Sequence, residues 1–527
     1  MAKARPSRTA GPKRTVEQRD KSASGGVPSP PEAPLLITLY LKHRRHHDRR
    51  AGSSPDLAEL TLRVTRHALA AQRRKLLAAP IAAIQNFAQR NGMRIVRIDT
   101  VRRRVKLLAS RAAAERAFST KITQVGQDGS LYRAPSRPPV VPPRLAGLVH
   151  GVLGLDERPR LRGPGMNGPD GRPGLLPSVF GTLYGMATGG RGAGQCIALI
   201  EPKGGYRPQD LADACRAMNV PVPAITDVSV GGGRNAYGAD PDADKEVTLD
   251  LQVVAGIAPQ ARIAVYFTPN SDTGIADGVA NAVHDRTNHP SVIVITWGEA
   301  EQNWPPDARK SLDAVLHDAV RLGITVVAAA GDSLATAGLF DAAHVVYPAS
   351  SPYVLSCGGT QIGIDQAASA ITAEVVWNKN DGATGTGGGI SDFYGVPAFQ
   401  LKANLPPSVN DGGRHGRGIP DIAAAASEIN GYRIVLGGAE VVTGGTSAAA
   451  PLWGAFIALL NERRGHALGF VNDTLYQKPT LLRAITSGNN MALGIGYQAG
   501  PGSGWNACTG LGVPKGAEII AALAART

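Results

Sequence analysis

Residues 291–332 read SVIVITWGEAEQNWPPDARKSLDAVLHDAVRLGITVVAAAGD. Two short apolar runs, SVIVITWG (291–298) and ITVVAAAGD (324–332), flank ARKSLDAVLHDAVRLG (308–323), whose apolar residues recur every three or four positions. Apolar runs without polar alternation imply strands covered on both faces, and a helix between them lets the strands lie parallel. The unit repeats outward. QCIALIEP (195–202), ARIAVYF (261–267) and VLSCGGT (354–360) read as strands; DLADACRAM (210–218), KEVTLDLQVVAGI (245–257) and GIADGVANAVHD (274–285) read as helices. The expectation is an α/β fold, a parallel sheet with helices on both faces, whose functional residues gather at the carboxyl ends of strands.

The first third of the chain has another character. At 527 residues the protein is too long for one ordinary core. LLITLYLK (35–42) reads as a strand, PDLAELTLRVTRHALAAQRRKLLAAP (55–80) holds helical periodicity, and IAAIQNFAQRNG (81–92) is a helix closed by Gly92. MRIVRIDTVRRRVKLLAS (93–110) alternates as two strands, and RAAAERAFS (111–119) is another helix. The order is ferredoxin-like, a smaller α+β domain over 34–157. Residues 1–33 are basic and rich in Pro, Ser and Gly, and are expected to be disordered. Residues 158–178, opening with RPRLRGPGMNGPDGRPG, read as a linker and cleavage zone before a second domain over 179–527.

Charge divides the same way. Residues 1–165 carry 33 Lys+Arg against 11 Asp+Glu, or +22, so the remainder of a chain with net charge +14 carries −8. Such a split fits nucleic-acid binding, docking of a basic domain on an acidic one, or a plain solvated surface; taken alone, the last comes first. No apolar run is long enough to span a bilayer, so no membrane association is expected, and the N-terminus lacks the apolar core of a conventional signal peptide. Cys196, Cys215, Cys357 and Cys508 have neither metal-ligand spacing nor a disulfide framework.

The chemistry begins at Gly444-Gly445-Thr446-Ser447-Ala448-Ala449-Ala450-Pro451. A serine at a helix N-terminus lies in positive backbone potential, which suits a nucleophile whose attack creates an oxyanion. The bland reading of Thr-Ser there is a helix cap. A serine nucleophile needs a base, and none of the eleven histidines has a catalytic setting, His150, His284, His289, His317, His344, His415 and His466 included. The alternative lies in EVTLD (246–250). Glu246 and Asp250 share one helix face, and two close carboxyls share a proton instead of both ionising, although alone they would read as a solvated acidic face. Asp332, ending ITVVAAAGD, could donate to an oxyanion if neutral; its bland reading is an Asx-turn.

EVTLD, SVIVITWG, AAAGDS, YPASSPYVLSCGGT, TGGG, GGTSAAAP and YQAGP…GW…CTGLG together resemble the sedolisin family of serine-carboxyl peptidases, most closely the kumamolisin type with its propeptide. The resemblance implies a subtilisin-like catalytic domain behind a removable pro-kumamolisin-like propeptide, and an endopeptidase acting through an acyl-enzyme at acid pH. Ser447 would be the nucleophile, Glu246 the general base, Asp250 its partner and Asp332 the oxyanion support, with Glu201 and Trp297 extending the network. Gly387-Gly388-Gly389 resembles the family's substrate-side glycines. The family's structural Ca²⁺ uses an Asp-Ile-Thr segment and a Gly-x-Gly-Trp-Asp segment. Here Ala484, Ile485, Gly502, Gly504 and Asn506 occupy those places, so both Asp ligands are lost and weak or no binding is expected. Leu334 and Val346 also depart from the family's pattern, which leaves subsite preference open.

The basic domain then becomes an intramolecular inhibitor docked over an acidic catalytic face, released when acid protonates the carboxylates that hold it. Expected partners are peptide substrates and the protein's own propeptide. RRHHDRR (44–50) and VRRRVK (101–106) lack a stacking platform for nucleic acid. A monomer is expected, and the resemblance implies an extracellular enzyme. A catalytically dead relative acting as a binding protein is disfavoured, because all four chemistry-bearing residues are present.

Overall fold

The computed structural model describes residues 33–42, 63–127, 129–161, 174–365, 367, 369–502 and 504–524. The expected disorder of 1–33 and most of the expected cleavage zone lie outside them.

The N-terminal unit is ferredoxin-like. Its strands β1 (Leu35–Leu41), β2 (Arg94–Asp99), β3 (Arg104–Ala109) and β6 (Val149–Leu153) form a sheet in the order β2-β3-β1-β6, with every neighbouring pair antiparallel. Helices α1 (Arg66–Leu76) and α2 (Ala78–Arg90) connect β1 to β2. Thr65 caps α1, Ser110 caps the short α3 (Arg111–Ala117), and α2 gives way to Gly92 at φ +66°. A hairpin, β4 (Ile122–Gln127) and β5 (Ser130–Pro135), is inserted before β6. Its Asp128-Gly129 turn signal was legible in the sequence but unused.

Strand β1 reads as almost continuously apolar because all of its residues but Leu36 are buried. Leu35, Ile37, Leu39 and Leu41 enter the unit's own core, whereas Tyr40 joins a cluster of the second domain.

In that second domain β7 (Cys196–Glu201), β8 (Ile225–Ser229), β9 (Arg262–Phe267), β10 (Val292–Ile295), β11 (Thr325–Ala329) and β12 (Leu355–Ile364) lie parallel in the order β12-β11-β10-β7-β9-β8. β13 (Ile371–Val376) joins β12 antiparallel, and β14 (Ile422–Ala425) joins it parallel. Alternate strand residues feed two cores, which is why the strands look apolar without alternation. Ile197, Leu199, Val292, Val294 and Val327 face α4 (Pro208–Ala217), α5 (Pro241–Ile257) and α8 (Thr446–Arg464). Ala198, Ile200, Ile293, Ile295 and Val326 face α6 (Asp272–Val283) and α7 (Pro306–Arg321). Helix α8 is buried all round from Thr446 to Asn461, as expected of a helix through the centre of a large core.

The expected linker, 158–178, is docked at both described ends. Leu161 is buried, its N–H and carbonyl bonded to the Asn270 side chain. After the segment, Leu175 pairs with Gly431, and Phe180 stacks on Tyr432 at 3.9 Å between ring centroids. Residues from Gly174 onward therefore belong to the second domain's core.

Docking of the basic unit uses a different face from the one expected. Its cations meet α6 and α7, across the sheet from α5 and α8. Arg104, Lys106 and Tyr40 converge on Asp277. Arg73 and Arg103 converge on Asp318, beside buried His284. Burial alone would push both carboxyls up, but the facing cations hold Asp277 below the usual carboxylate range and Asp318 well below it. These two carboxylates stay charged in acid, so they are not the groups whose protonation would release the unit. Arg102, Arg103, Arg104 and Lys106, the basic run without a stacking platform for nucleic acid, are engaged here.

Candidate active site

Three strand ends deliver side chains to one place. Glu201 ends β7, Thr296 and Trp297 follow β10, and Asp332 follows β11. Helix α5, started by Pro241 and capped by Asp240, brings Glu246 and Asp250 toward them from one side. Helix α8 brings Thr446 and Ser447. All six residues singled out from the sequence are thus assembled from five separate elements.

The acids are not a solvated face. Glu201, Glu246 and Asp250 are each 0 % exposed, which raises the pKa of all three by burial before any neighbour acts. Trp297 Nε1 donates to Glu201 Oε2 at 2.8 Å and favours its charged form. Asp250 favours the charged form of Glu201, whereas Glu201 raises Asp250. Thr296 Oγ1, 2.9 Å from Asp250 Oδ2, donates to the same residue and also favours the charged form of Glu246. Thr296 lies within SVIVITWG, and its place between a strand end and Trp297 is the sequence signal for this role.

Glu246 faces the Ser447 hydroxyl, which draws its raised pKa partly back down. Neither Ser447 Oγ nor either Glu246 oxygen completes a hydrogen bond of full geometry. Across the gap, Asp332 Oδ1 accepts from Thr446 N at 2.8 Å and Thr446 Oγ1 at 2.6 Å. Burial nevertheless raises Asp332 to about 6. Ser447, Asp332, Thr446 and Thr296 line one cavity of roughly 250 Å³, continued by Ala300, Ala329 and Val346, with Glu299 at its edge. No histidine lines it.

Residues 230–496 match the Subtilase family, and residues 62–158 match the pro-kumamolisin activation domain. Kumamolisin of Bacillus sp. (strain MN-32) is 38% identical over 512 residues, covering 93% of this chain and 91% of that protein. The chain belongs to the kumamolisin–sedolisin family of serine-carboxyl peptidases.

More distant members agree. Sedolisin of Pseudomonas sp. (strain 101) is 28% identical, covering 82% of this chain and 77% of that one. A solved structure of Pseudomonas sedolisin, a serine-carboxyl proteinase complexed with pseudo-iodotyrostatin, superposes with a TM-score of 0.59 over 66% of this chain and 97% of that one, at 28% identity. Tripeptidyl-peptidase 1 of Homo sapiens is 28% identical over 382 residues, covering 66% of this chain and 64% of that protein. The family fold, its serine-type peptidase chemistry and its propeptide organisation are therefore those of this protein.

The family's calcium position does not fit a cation here. Ala484 offers no side-chain oxygen, and Asn506 Oδ1 is occupied by Cys508 N, Thr509 N and Thr509 Oγ1 at 3.0, 2.9 and 3.1 Å. Asn506 Nδ2 donates to the Ile485 carbonyl at 3.1 Å, placing an N–H against an oxygen that a metal would use. Gly502 and Gly504 lie exposed in the adjoining loop. Among the described residues no group of three or more His, Cys, Asp or Glu could hold a metal.

Two other departures acquire a physical account. Leu334 adopts φ +55°, a left-handed backbone that favours glycine, and its side chain is fully buried; a Cβ on Gly385 would meet Leu334 Cδ2 at 2.4 Å. Val346 fills the space beside Gly298 and Gly331, where added Cβ atoms would meet it at 2.3 and 2.6 Å. The family-type glycines Gly387, Gly388 and Gly389 bridge this region, Gly387 N donating to the Gly331 carbonyl at 2.6 Å. All four cysteines are free and buried.

Proposed function

We propose that this peptidase is an acid endopeptidase in which Glu246 activates Ser447. The observation that carries the reading is the burial of Glu246 against Ser447 in a site without histidine, backed by acids that take up its charge. Ser447 Oγ attacks the scissile carbonyl and passes its proton to Glu246. Protonated Asp332 donates to the oxyanion. Glu246 then returns the proton to the leaving amine, the acyl-enzyme forms, and water deacylates it by the same route. Asp332, raised to about 6, holds the donating proton only below that range, which confines turnover to acid. Burial raises Glu246 as well, to about 7, while the Ser447 and Thr296 hydroxyls and Lys245 favour its charged form, so the fraction of Glu246 able to accept the proton falls as pH drops.

The chain acts on proteins or peptides, cleaves itself between the docked ends at Leu161 and Gly174, and works as an extracellular monomer. No helix among the described residues is long and apolar enough to cross a membrane. The C-terminal loop binds calcium weakly or not at all. Purified proform incubated at about pH 4, within the carboxyl range, tests the central claim. Wild type should self-cleave and digest casein, whereas Ser447→Ala and Glu246→Gln should do neither. Persistent proteolysis by Glu246→Gln would remove the carboxylate base.

A further inference from the structure

Thr446 carries a hydroxyl whose two hydrogen-bonding roles are both committed. Gly331 N lies 3.1 Å from Thr446 Oγ1. A backbone N–H can only donate, so this bond uses the hydroxyl oxygen as acceptor. The hydroxyl's one proton is thereby free for Asp332 Oδ1, 2.6 Å away. Thr446 N donates to that same oxygen at 2.8 Å. With two donors aimed at Oδ1, a proton placed on that atom would face both of them. The proton of a neutral Asp332 is left with Oδ2, which has no hydrogen-bond partner among the described residues. Oδ2 faces the start of α8, since a Cβ added to Gly445 would lie 2.5 Å from it.

The hydroxyl is not spent on the helix. Gly445 holds the N-cap position with no side-chain cap bond, and Thr446 is already the first helical residue. The helix-cap reading of Thr-Ser at this point therefore gives way.

We infer that Thr446 is a positioning residue: its hydroxyl, oriented by Gly331 N–H, selects Oδ2 as the proton-bearing atom of Asp332 and turns that proton toward the oxyanion formed at Ser447. This rests on the role given above to Asp332. The relay runs Gly331 N–H to Thr446 Oγ1, Thr446 O–H to Asp332 Oδ1, and Asp332 Oδ2–H to the substrate oxygen. No proton is gained or lost along it.

Other charged groups act on Asp332 but do not orient it. Glu428, beyond β14, raises its pKa; Lys379, beyond β13, lowers it and pairs with Glu428 at 2.8 Å. Glu246 on α5 and Asp332 repel each other when both are charged. The Thr446 bonds favour charged Asp332, so their removal lets Asp332 keep its proton to higher pH.

The test compares full-length wild type with T446V, T446A and T446S, each acidified to self-process, then assayed for kcat and KM from about pH 3 to about pH 7. Removing the hydroxyl should lower kcat by about 10- to 100-fold, toward the effect of an oxyanion donor. KM should stay near wild type, and the alkaline limb of kcat should move up in pH. T446S should restore both. Where a hydroxyl-free variant processes too slowly to assay, its self-cleavage rate takes the place of kcat, and T446S must rescue it. T446A removes the hydroxyl without adding a methyl contact, which guards against misfolding of T446V. Wild-type kcat and pH limb in T446A, or a folded T446S that fails to rescue, overturns the inference. A wild-type enzyme that cleaves no peptide would instead overturn the parent reading.

Discussion

Arg73 of the propeptide and Asp318 of the catalytic domain pair at 2.5 Å with side chains only 2 % and 4 % exposed. A surface ion pair contributes little, but removing one partner of a buried pair leaves an uncompensated charge and costs about 3–5 kcal/mol. Arg103 and His284 crowd the same carboxylate, so its loss strands three groups together.

Asp318→Asn should therefore loosen the proform. Self-processing near neutral pH, followed by gel over time, should accelerate at least about tenfold, given that pair penalty. An equal rate to wild type would mean that this anchor does not hold the inhibitor in place.

The acid trigger is expected at His284. Burial lowers its pKa, Asp318 raises it, and Arg73 and Arg102 lower it again. Undocking removes both arginines and lets water in, so the freed imidazole binds a proton more readily than the docked one. Docking is then complete above the ordinary value of 6.5 and weakens as pH falls. Asp277 and Asp318, held low by cations, keep their charge across that window. His284→Gln should shift the processing-against-pH curve to lower pH and flatten it by at most about one proton.

Acid should also stabilise the fold through Glu301. Glu301 is 0 % exposed; burial raises it to about 7, against bonds from Asp392 N and Ser391 Oγ that favour its charge. A carboxyl raised in this way contributes stability that is complete below about 4.5 and lost as pH rises through about 7. In the Ser447→Ala proform, where His284 acts in the opposite sense, the Glu301 contribution is read as the difference in thermal midpoint from the Glu301→Gln variant, which should change across that interval. Glu301→Gln, a permanent mimic of the neutral acid, lacks that contribution's pH dependence.

Calcium should be dispensable to the C-terminal loop. EDTA or added Ca²⁺ should leave the thermal midpoint of the mature enzyme unchanged, and titration calorimetry should show no tight site. Asn506→Ala, which frees the Ile485 carbonyl and three donors, should cost about 1–3 kcal/mol. Tight one-to-one binding would restore a metal to this loop.

The parallel sheet was legible because β7, β10 and β11 are buried on both sides and so contain almost nothing polar. The ferredoxin-like order was legible from its periodicities, yet the β4–β5 hairpin passed unread, since its strand burial alternates poorly. Glu246, Asp250, Asp332 and Ser447 were recognisable as residue types in motifs. Thr296 and Thr446 were not assigned roles, because a threonine beside a strand or helix end has many uses and only its bonding partners distinguish them. The charge split announced that two units would meet. It could not say that α6 and α7 would receive the propeptide, because the receiving acids, Asp277 and Asp318, lie 41 residues apart on separate helices.

By itself, the order of apolar and polar residues determined the two units and the layered sheet, and the residue types in its motifs marked a candidate nucleophile site without histidine. Those properties follow from local period and from side-chain type, which the chain carries wherever it goes. The tertiary structure alone decided what perturbs each titrating group: the burial that raises Glu201, Glu246 and Asp250, the Thr446 donors on Oδ1 of Asp332, and the Arg73 and Arg102 charges that lower His284. Those influences come from burial and from donors and charges on distant strands and helices, which come together only when the chain is folded.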